Sequence, residues 1–271
     1  MRIHSKLPLS DTLNTPAGCV GCPVRQSGIC HVLSVEELSL LARISTRRVV
    51  AQHDTVWRTR DDLGFVAVVL SGTVSLSLYL PDGRHQIVAL QFPLSIIGAI
   101  AGGTGLEIVA EETTRICSFP RSHFENVLSR NREMELEFRD QIGVQLDEAR
   151  NWLLTVGRKT ARERVATYLD QLSRGARSID VSEEHRGLRL PLSRGAMADF
   201  LGLTIETVSR RMADLKREGI VDFHDASFAQ ILSPARLASA TGNHLLGEPA
   251  KFSRHQPADN QPLTSTPSES A

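Results

Sequence analysis

Residues 192–217 read LSRGAMADFLGLTIETVSRRMADLKR, and the architecture follows from how they are punctuated. Pro191 and Ser193 offer a break and an N-cap, after which Met197, Phe200 and Leu201 fall at i, i+3 and i+4. Gly202 allows the positive φ of a tight turn, and Thr204 can cap a second helix. On that helix Ile205, Val208, Met212 and Leu215 form one apolar face. The opposite face carries Glu206, Thr207, Ser209, Arg210 and Ala213. Two short helices joined by a glycine turn, the second displaying short polar groups and an arginine, read as a helix-turn-helix.

The flanks agree. Gly219 ends the second helix, and Ile220–Phe223 and Phe228–Leu232 enclose the turn-like 224–227, which predicts a β-hairpin wing. Residues 158–217 hold 13 Lys/Arg against 8 Asp/Glu, while the whole chain has 31 of each. A local basic excess attracts DNA phosphates, and distant acidic residues do not cancel it at short range.

N-terminal to this unit the periodicity changes twice. Met134, Phe138, Ile142, Leu146, Ala149, Leu153 and Val156 make one helical stripe inside a long helix predicted over 121–157. Its length favours a seam with a second copy, with Phe138, Ile142, Leu146 and Leu153 at the interface. Gly157 is the expected hinge, and Thr160–Leu172 the next helix. From Arg48 to Phe119 the period is two. Val66–Leu70, Val74–Leu78, Gln86–Leu90, Leu106–Ala110 and Thr114–Phe119 are separated by Ser71-Gly72, Pro81-Asp82-Gly83, Gly98 and Gly102-Gly103. About seven short strands suit a β-roll or jelly roll.

Before the roll, Cys19-Val-Gly-Cys22-Pro-Val-Arg-Gln-Ser-Gly-Ile-Cys30 gathers three of the chain's four cysteines, and Cys117 is the fourth. Thiolates are soft donors, and three or four together suit zinc or an iron–sulfur cluster. His31 beside Cys30 keeps zinc open. Ser34-Val-Glu-Glu37 then reads as a capping box opening a short helix through about Arg43.

The 271 residues suffice for two cored domains, and 41% hydrophobic with 23% charged residues is ordinary for a soluble globular chain. No apolar run nears the roughly 18 residues of a membrane span. MRIHSKLPLSDTLNT lacks a signal-peptide core, so the expected compartment is the cytoplasm, where disulfides are disfavoured. Residues 1–18 are expected to be flexible. The tail 238–271, rich in Pro, Ser and Thr from 247 onward, is expected to be disordered. The sequence holds no Ser/His/Asp arrangement, phosphate loop or paired-carboxylate motif. His53, His85 and His123 stand isolated, so an enzyme is not expected.

Taken together the chain resembles the CRP/FNR superfamily of bacterial transcription regulators, in the FNR (fumarate and nitrate reduction) branch of oxygen sensors. The resemblance runs over about 17–237 and is carried by the C-x2-C-x7-C run with Cys117, by Gly157-Arg-Lys-Thr-Ala-Arg-Glu-Arg164, and by Leu201-Gly-Leu-Thr-Ile-Glu-Thr-Val-Ser-Arg210. It implies an α+β chain with a cyclic-nucleotide-binding-like roll over 19–120, a dimerisation helix over 121–157 and a winged helix-turn-helix over 158–237. It implies a homodimer with one [4Fe-4S] cluster per subunit on Cys19, Cys22, Cys30 and Cys117, with RNA polymerase as a further partner. On the recognition helix it implies that Arg210 donates to a guanine, Ser209 meets a thymine and Glu206 accepts from an exocyclic amine. Thr204 and Thr207 stand beside them on the DNA-facing side. The implied target is a palindrome like TTGAT-N4-ATCAA in double-stranded DNA. The cyclic-nucleotide members carry Gly-Glu followed by Arg-Ser/Thr-Ala; here Gly98 precedes Ala99 and Arg115 precedes Ile116, so no cyclic nucleotide is expected.

Overall fold

The computed structural model describes residues 15–58, 64–98, 106–177 and 187–243. The readings placed on residues 1–14, on Gly102-Gly103 and on the tail from 244 lie outside the described residues.

Eight strands form the roll: β1 (Thr46–Val50), β2 (Thr55–Arg58), β3 (Phe65–Ser71), β4 (Val74–Tyr79), β5 (His85–Gln91), β6 (Ile96–Ile97), β7 (Leu106–Ala110) and β8 (Thr114–Pro120). They pair antiparallel into two sheets, ordered β1-β8-β3-β6 and β2-β7-β4-β5. Val50, Ala67, Val69 and Ile116 of the first sheet pack with Val56, Trp57, Val74 and Ile108 of the second. Because side chains alternate along a strand, Val66, Val68, Leu70, Cys117 and Phe119 face the other way. That outer face is not solvated. It is covered by the cysteine segment and by helices, which explains why β3 reads as an unbroken apolar run.

The covering layer consists of α1 (Pro23–Ser27), α2 (Val35–Ile44), α3 (Arg121–Arg130) and the first turns of α4 (Arg132–Arg158). The capping box at Ser34 forms as expected: Ser34 Oγ accepts from Glu37 N–H, and Glu37 accepts from Ser34 N–H at 2.9 Å.

The helix expected over 121–157 is two helices. Asn131, at φ −121° and ψ 102°, interrupts it and caps α4 through its side chain, which accepts from Met134 N–H at 2.8 Å. The apolar period continues across the break and conceals it. At the other end α4 runs through Gly157 to Arg158, so the link to α5 (Ala161–Arg177) is at Lys159–Thr160 rather than at the glycine.

The C-terminal unit packs α5, α6 (Arg194–Leu201), α7 (Ile205–Arg217) and α8 (Pro234–Ala240) on a small antiparallel sheet. Its strands are β9 (Leu188–Arg189), β10 (Val221–Phe223) and β11 (Phe228–Ile231), in the order β10-β11-β9. The unit extends past 237: Ala240 and Thr241 are buried, and Lys159 Nζ donates to Asn243 Oδ1 at 2.7 Å. Residues 238–243, expected in the tail, therefore belong to the fold.

Candidate metal centre and nucleic-acid interface

The three N-terminal cysteines sit on tight backbone punctuation. Cys19 ends a single 3-10 turn, Ala17–Cys19, and Gly21 at φ +67° turns the chain back. Cys22 is the N-cap of α1, its carbonyl accepting from Arg25 N–H and Gln26 N–H at 3.1 Å, with Pro23 at the first helical position. Cys30 lies buried on a second 3-10 turn, Ile29–Val32. Cys117 reaches the same place from β8, where its register partners are Arg47 on β1 and Val68 on β3.

All four cysteines line one cavity. Its remaining walls are mostly apolar, with Val24, Leu38, Leu41, Val68, Leu70 and Phe119, and they also include Ser45 and the two arginines Arg25 and Arg47. No disulfide joins any of the four cysteines. Burial pushes the Cys30 thiol up to about 12, and the charges of Cys117, Cys22 and Cys19 push it the same way. Burial also raises Cys19, opposed by Arg47, and Cys117, opposed by a hydrogen bond with Ser45 and then by Arg47. Burial therefore favours the neutral thiols here, and a bound cation would favour the thiolates instead.

Among the described residues no three His, Cys, Asp or Glu side chains already stand as a metal-binding group. The thiols line a cavity rather than close a cage. The donor set itself, four cysteine sulfurs in a mostly apolar pocket, fits a thiolate-held metal or cluster. His31 is exposed and is not among the residues that line the cavity.

The reading head forms as its punctuation predicts. Ser193 caps α6 by accepting from Ala196 N–H, Gly202 adopts φ +61° and ψ 45°, and Thr204 caps α7 by accepting from Thr207 N–H at 3.2 Å. Val208, Met212 and Leu215 are buried. Ile205 is 51% exposed, which corrects its assignment to the buried face: on the first turn of α7 it stands beyond the edge of the core. Glu206, Ser209 and Arg210 are exposed on one side of α7. The Glu206 N–H, then the Thr204 hydroxyl, hold the Glu206 carboxyl below the usual carboxylate range. Thr204 and Thr207 also meet each other, hydroxyl to hydroxyl at 3.1 Å, so both take part in the cap.

Several groups that sequence reasoning missed position this head. Arg164 on α5 donates from Nη1 to Leu201 O at 3.0 Å and to Gly202 O at 3.2 Å, fixing the turn between the two helices. Gln86 on β5 donates from Nε2 to the carbonyls of Asp199 and Phe200, and His85 Nε2 lies 3.3 Å from Asp199 Oδ2. Ile87 and Leu90 of the roll join the C-terminal core, and Trp152 of α4 meets Phe200 with ring centroids 4.2 Å apart. None of these pairs is near in sequence, so no local pattern could announce them. Much of the local basic excess is also engaged: Arg162–Glu218, Arg189–Glu112 and Lys216–Asp222 are ion pairs.

The expected seam divides. Met134 is buried, and Phe138 packs into the cysteine-side core with its ring edge-on to Phe124, 5.8 Å between centroids. Phe138 thus packs partly on its own domain and stays half-buried. Ile142 is half-buried, while Leu146 is 50% and Leu153 75% exposed.

The chain matches the family model of the Crp-like helix-turn-helix domain over residues 163–240 and that of the cyclic nucleotide-binding domain over 47–131. It is 36% identical over 221 residues to a probable transcriptional activator of Rhizobium leguminosarum bv. viciae, covering 81% of this chain and 90% of that one. It is 33% identical over 228 residues to the transcriptional activator protein FnrL of Cereibacter sphaeroides, covering 83% and 92%. It superimposes on the structure of FixK2 from Bradyrhizobium japonicum with a TM-score of 0.65 at 29% identity, covering 73% of this chain and 97% of that one. These likenesses, with a roll, a long helix and an exposed reading head in that order, make the chain a DNA-binding transcription regulator of the CRP/FNR family, in its FNR-type branch, and not an enzyme.

Proposed function

We propose that the chain is an oxygen-responsive regulator that binds DNA as a homodimer while one [4Fe-4S] cluster per subunit is held by Cys19, Cys22, Cys30 and Cys117. The observation that carries this reading is the convergence of all four cysteines, from a loop and from β8, on one cavity. When bound, the cluster would supply ligand bonds joining loop to roll, together with sensitivity to oxygen.

The chain's own residues then do the coupling. Ile29, Cys30 and Cys117 share one apolar cluster with Met134 and Phe138 of α4, so the cysteine loop packs directly against the start of the long helix. A loop fixed by ligation holds that helix in one register; a loose loop lets it shift. The uncovered side of α4, with Leu146 and Leu153, then meets its copy well or poorly. One reading head recognises half of a palindrome, so the dimer carries most of the specific affinity. Moving such an equilibrium from 1:99 to 99:1 takes about 5.5 kcal/mol, within reach of metal–thiolate ligation.

The proposed target is a TTGAT-N4-ATCAA-like site read by Glu206, Ser209 and Arg210, with RNA polymerase as the downstream partner. No cyclic nucleotide is proposed as ligand, because Gly98 is followed by Ala99 where the nucleotide binders have Gly-Glu.

Anaerobic purification, visible absorbance near about 400 nm and iron and sulfide analysis test the reading. A brown protein that binds the palindrome anaerobically and releases it in air supports it. A colourless, zinc-containing protein whose DNA binding ignores oxygen overturns it.

A further inference from the structure

The four thiols account for the donors of the cavity but not for its two cations. Arg25 on α1 is buried, and its Nη1 donates to Cys30 O at 3.0 Å and to His31 O at 2.8 Å, pinning the turn that carries Cys30. Its Nε is buried with no hydrogen-bond partner. A guanidinium taken out of water, as that of Arg25 is, calls for an anion, yet among the described residues no salt bridge to a carboxylate is made by Arg25, nor by the exposed Arg47. Arg47 lies directly across the strand pair from Cys117, and its Nη2 stands 4.0 Å from Cys19 Sγ. Its guanidinium also rests on Gly18, where a Cβ would come within 3.3 Å of Cζ. One arginine therefore braces the segment between Cys22 and Cys30, and the other bridges Cys117 to Cys19.

Four thiolates around a doubly charged core leave two negative charges uncompensated, and two guanidiniums face them. We propose that Arg25 and Arg47 are the counter-charges of the four-thiol cavity, determining how firmly it holds an anionic metal–thiolate centre and at what potential that centre gives up electrons. This rests on the metal–thiolate reading above. Net charge and hydrogen bonds around such centres set their potentials and their hold on the metal. Arg47 is exposed, so its replacement leaves the core intact, whereas Arg25 also has the structural task of bracing two carbonyls.

The test uses the full chain and its Arg47→Gln, Arg47→Lys and Arg25→Lys variants, reconstituted anaerobically. Three quantities are read: iron and sulfide content, the decay of visible absorbance in air, and anaerobic Co2+ affinity from the thiolate-to-metal absorption. Arg47→Gln is expected to bind Co2+ several-fold more weakly and to bleach in air several-fold faster. Arg47→Lys and Arg25→Lys, which keep the charge, are expected to stay close to the unaltered chain. Equal bleaching and equal Co2+ affinity in Arg47→Gln and the unaltered chain, with both holding iron, overturn the counter-charge role. So does an equal loss in Arg47→Gln and Arg47→Lys, which would make Arg47 a clamp on Gly18 rather than a charge. An unaltered chain that takes up neither iron nor Co2+ overturns the metal–thiolate reading itself.

Discussion

Asn131 donates from Nδ2 to Glu37 Oε1 at 2.8 Å, across 94 positions of sequence, while its own Oδ1 caps α4 at Met134 N–H. Glu37 in turn closes the capping box of α2 with Ser34. The start of the helix that follows the cysteine loop is thus tied to the start of the helix that carries the seam.

Asn131→Ala removes a cap and this tie together, and is expected to cost about 1 kcal/mol or somewhat more, read as a lowered denaturant midpoint at unchanged m. The Ser34 N–H, then the Asn131 side chain, hold the Glu37 carboxyl below its usual value. Stability from this group is therefore present above the ordinary glutamate range and is lost as pH falls through the lowered pKa. Asn131→Ala should shrink that acid-side loss, and an identical acid limb in both proteins would remove Glu37–Asn131 from the account.

Cys117 stands alone on a strand, far in sequence from the other thiols, and faces them across the cavity. Cys117→Ser is expected to abolish stable iron binding under anaerobic conditions, as is serine at Cys19, Cys22 or Cys30. Serine is nearly isosteric, so the fold should persist by circular dichroism. Full iron and sulfide content in Cys117→Ser would show that three thiolates suffice.

What could be read beforehand followed the range of the interaction. Ser34, Ser193, Gly202 and Thr204 act within four residues of themselves, and each takes the role its neighbours assign. The spacing of Cys19, Cys22 and Cys30 likewise suggests that the three lie together, and all three line one cavity. The placement of Cys117 opposite Arg47 needs the β1–β8 register, which no local pattern contains. Asn131 escaped because Phe124 and Val127 before it and Met134 after it keep the helical period across the break. Ile205 escaped because periodicity gives the direction of a side chain but not whether the core extends that far. The contact of Phe138 with Phe124 was not legible either, since the helical period gives the stripe but not which surface each residue of it meets.

Arg210→Ala is expected to cost about 1–3 kcal/mol on the matched site and to relax discrimination at the guanine. Lys216, further along α7, pairs with Asp222 of the wing at 2.8 Å. Lys216→Ala should at most weaken all sequences alike. Unchanged discrimination in Arg210→Ala, measured on single-base-substituted operators, would mean that another face of α7 meets the bases.

Ending the chain at Glu248 should leave dimerisation, metal content and DNA affinity unchanged, because the segment beyond it has too few apolar residues to build a core. Ending it at Leu237 should behave differently. That cut removes buried Ala240 and Thr241 and the Lys159–Asn243 bond beside the link between α4 and α5. Lower thermal stability is expected for the shorter chain alone, and equal melting of both would show that residues 238–243 add nothing to the fold.

Leu153 is 75% exposed on α4, one full heptad after Leu146 at 50%, with half-buried Ala149 and Val156 completing the stripe. An isolated subunit loses little when such a residue becomes charged, within about 0.5 kcal/mol. A dimer built on this stripe loses a great deal, because two arginines would meet across the two-fold axis. Leu153→Arg is therefore expected to keep its anaerobic metal content and its melting behaviour as a monomer, while sedimenting as a single subunit. It should bind a single half-site about as weakly as before and lose the extra affinity for the palindrome. Sedimentation and operator titration on one anaerobic sample read both quantities. A Leu153→Arg chain that still sediments as a dimer and still prefers the palindrome would place the seam on another surface and break the proposed link from the cysteine loop through α4 to DNA.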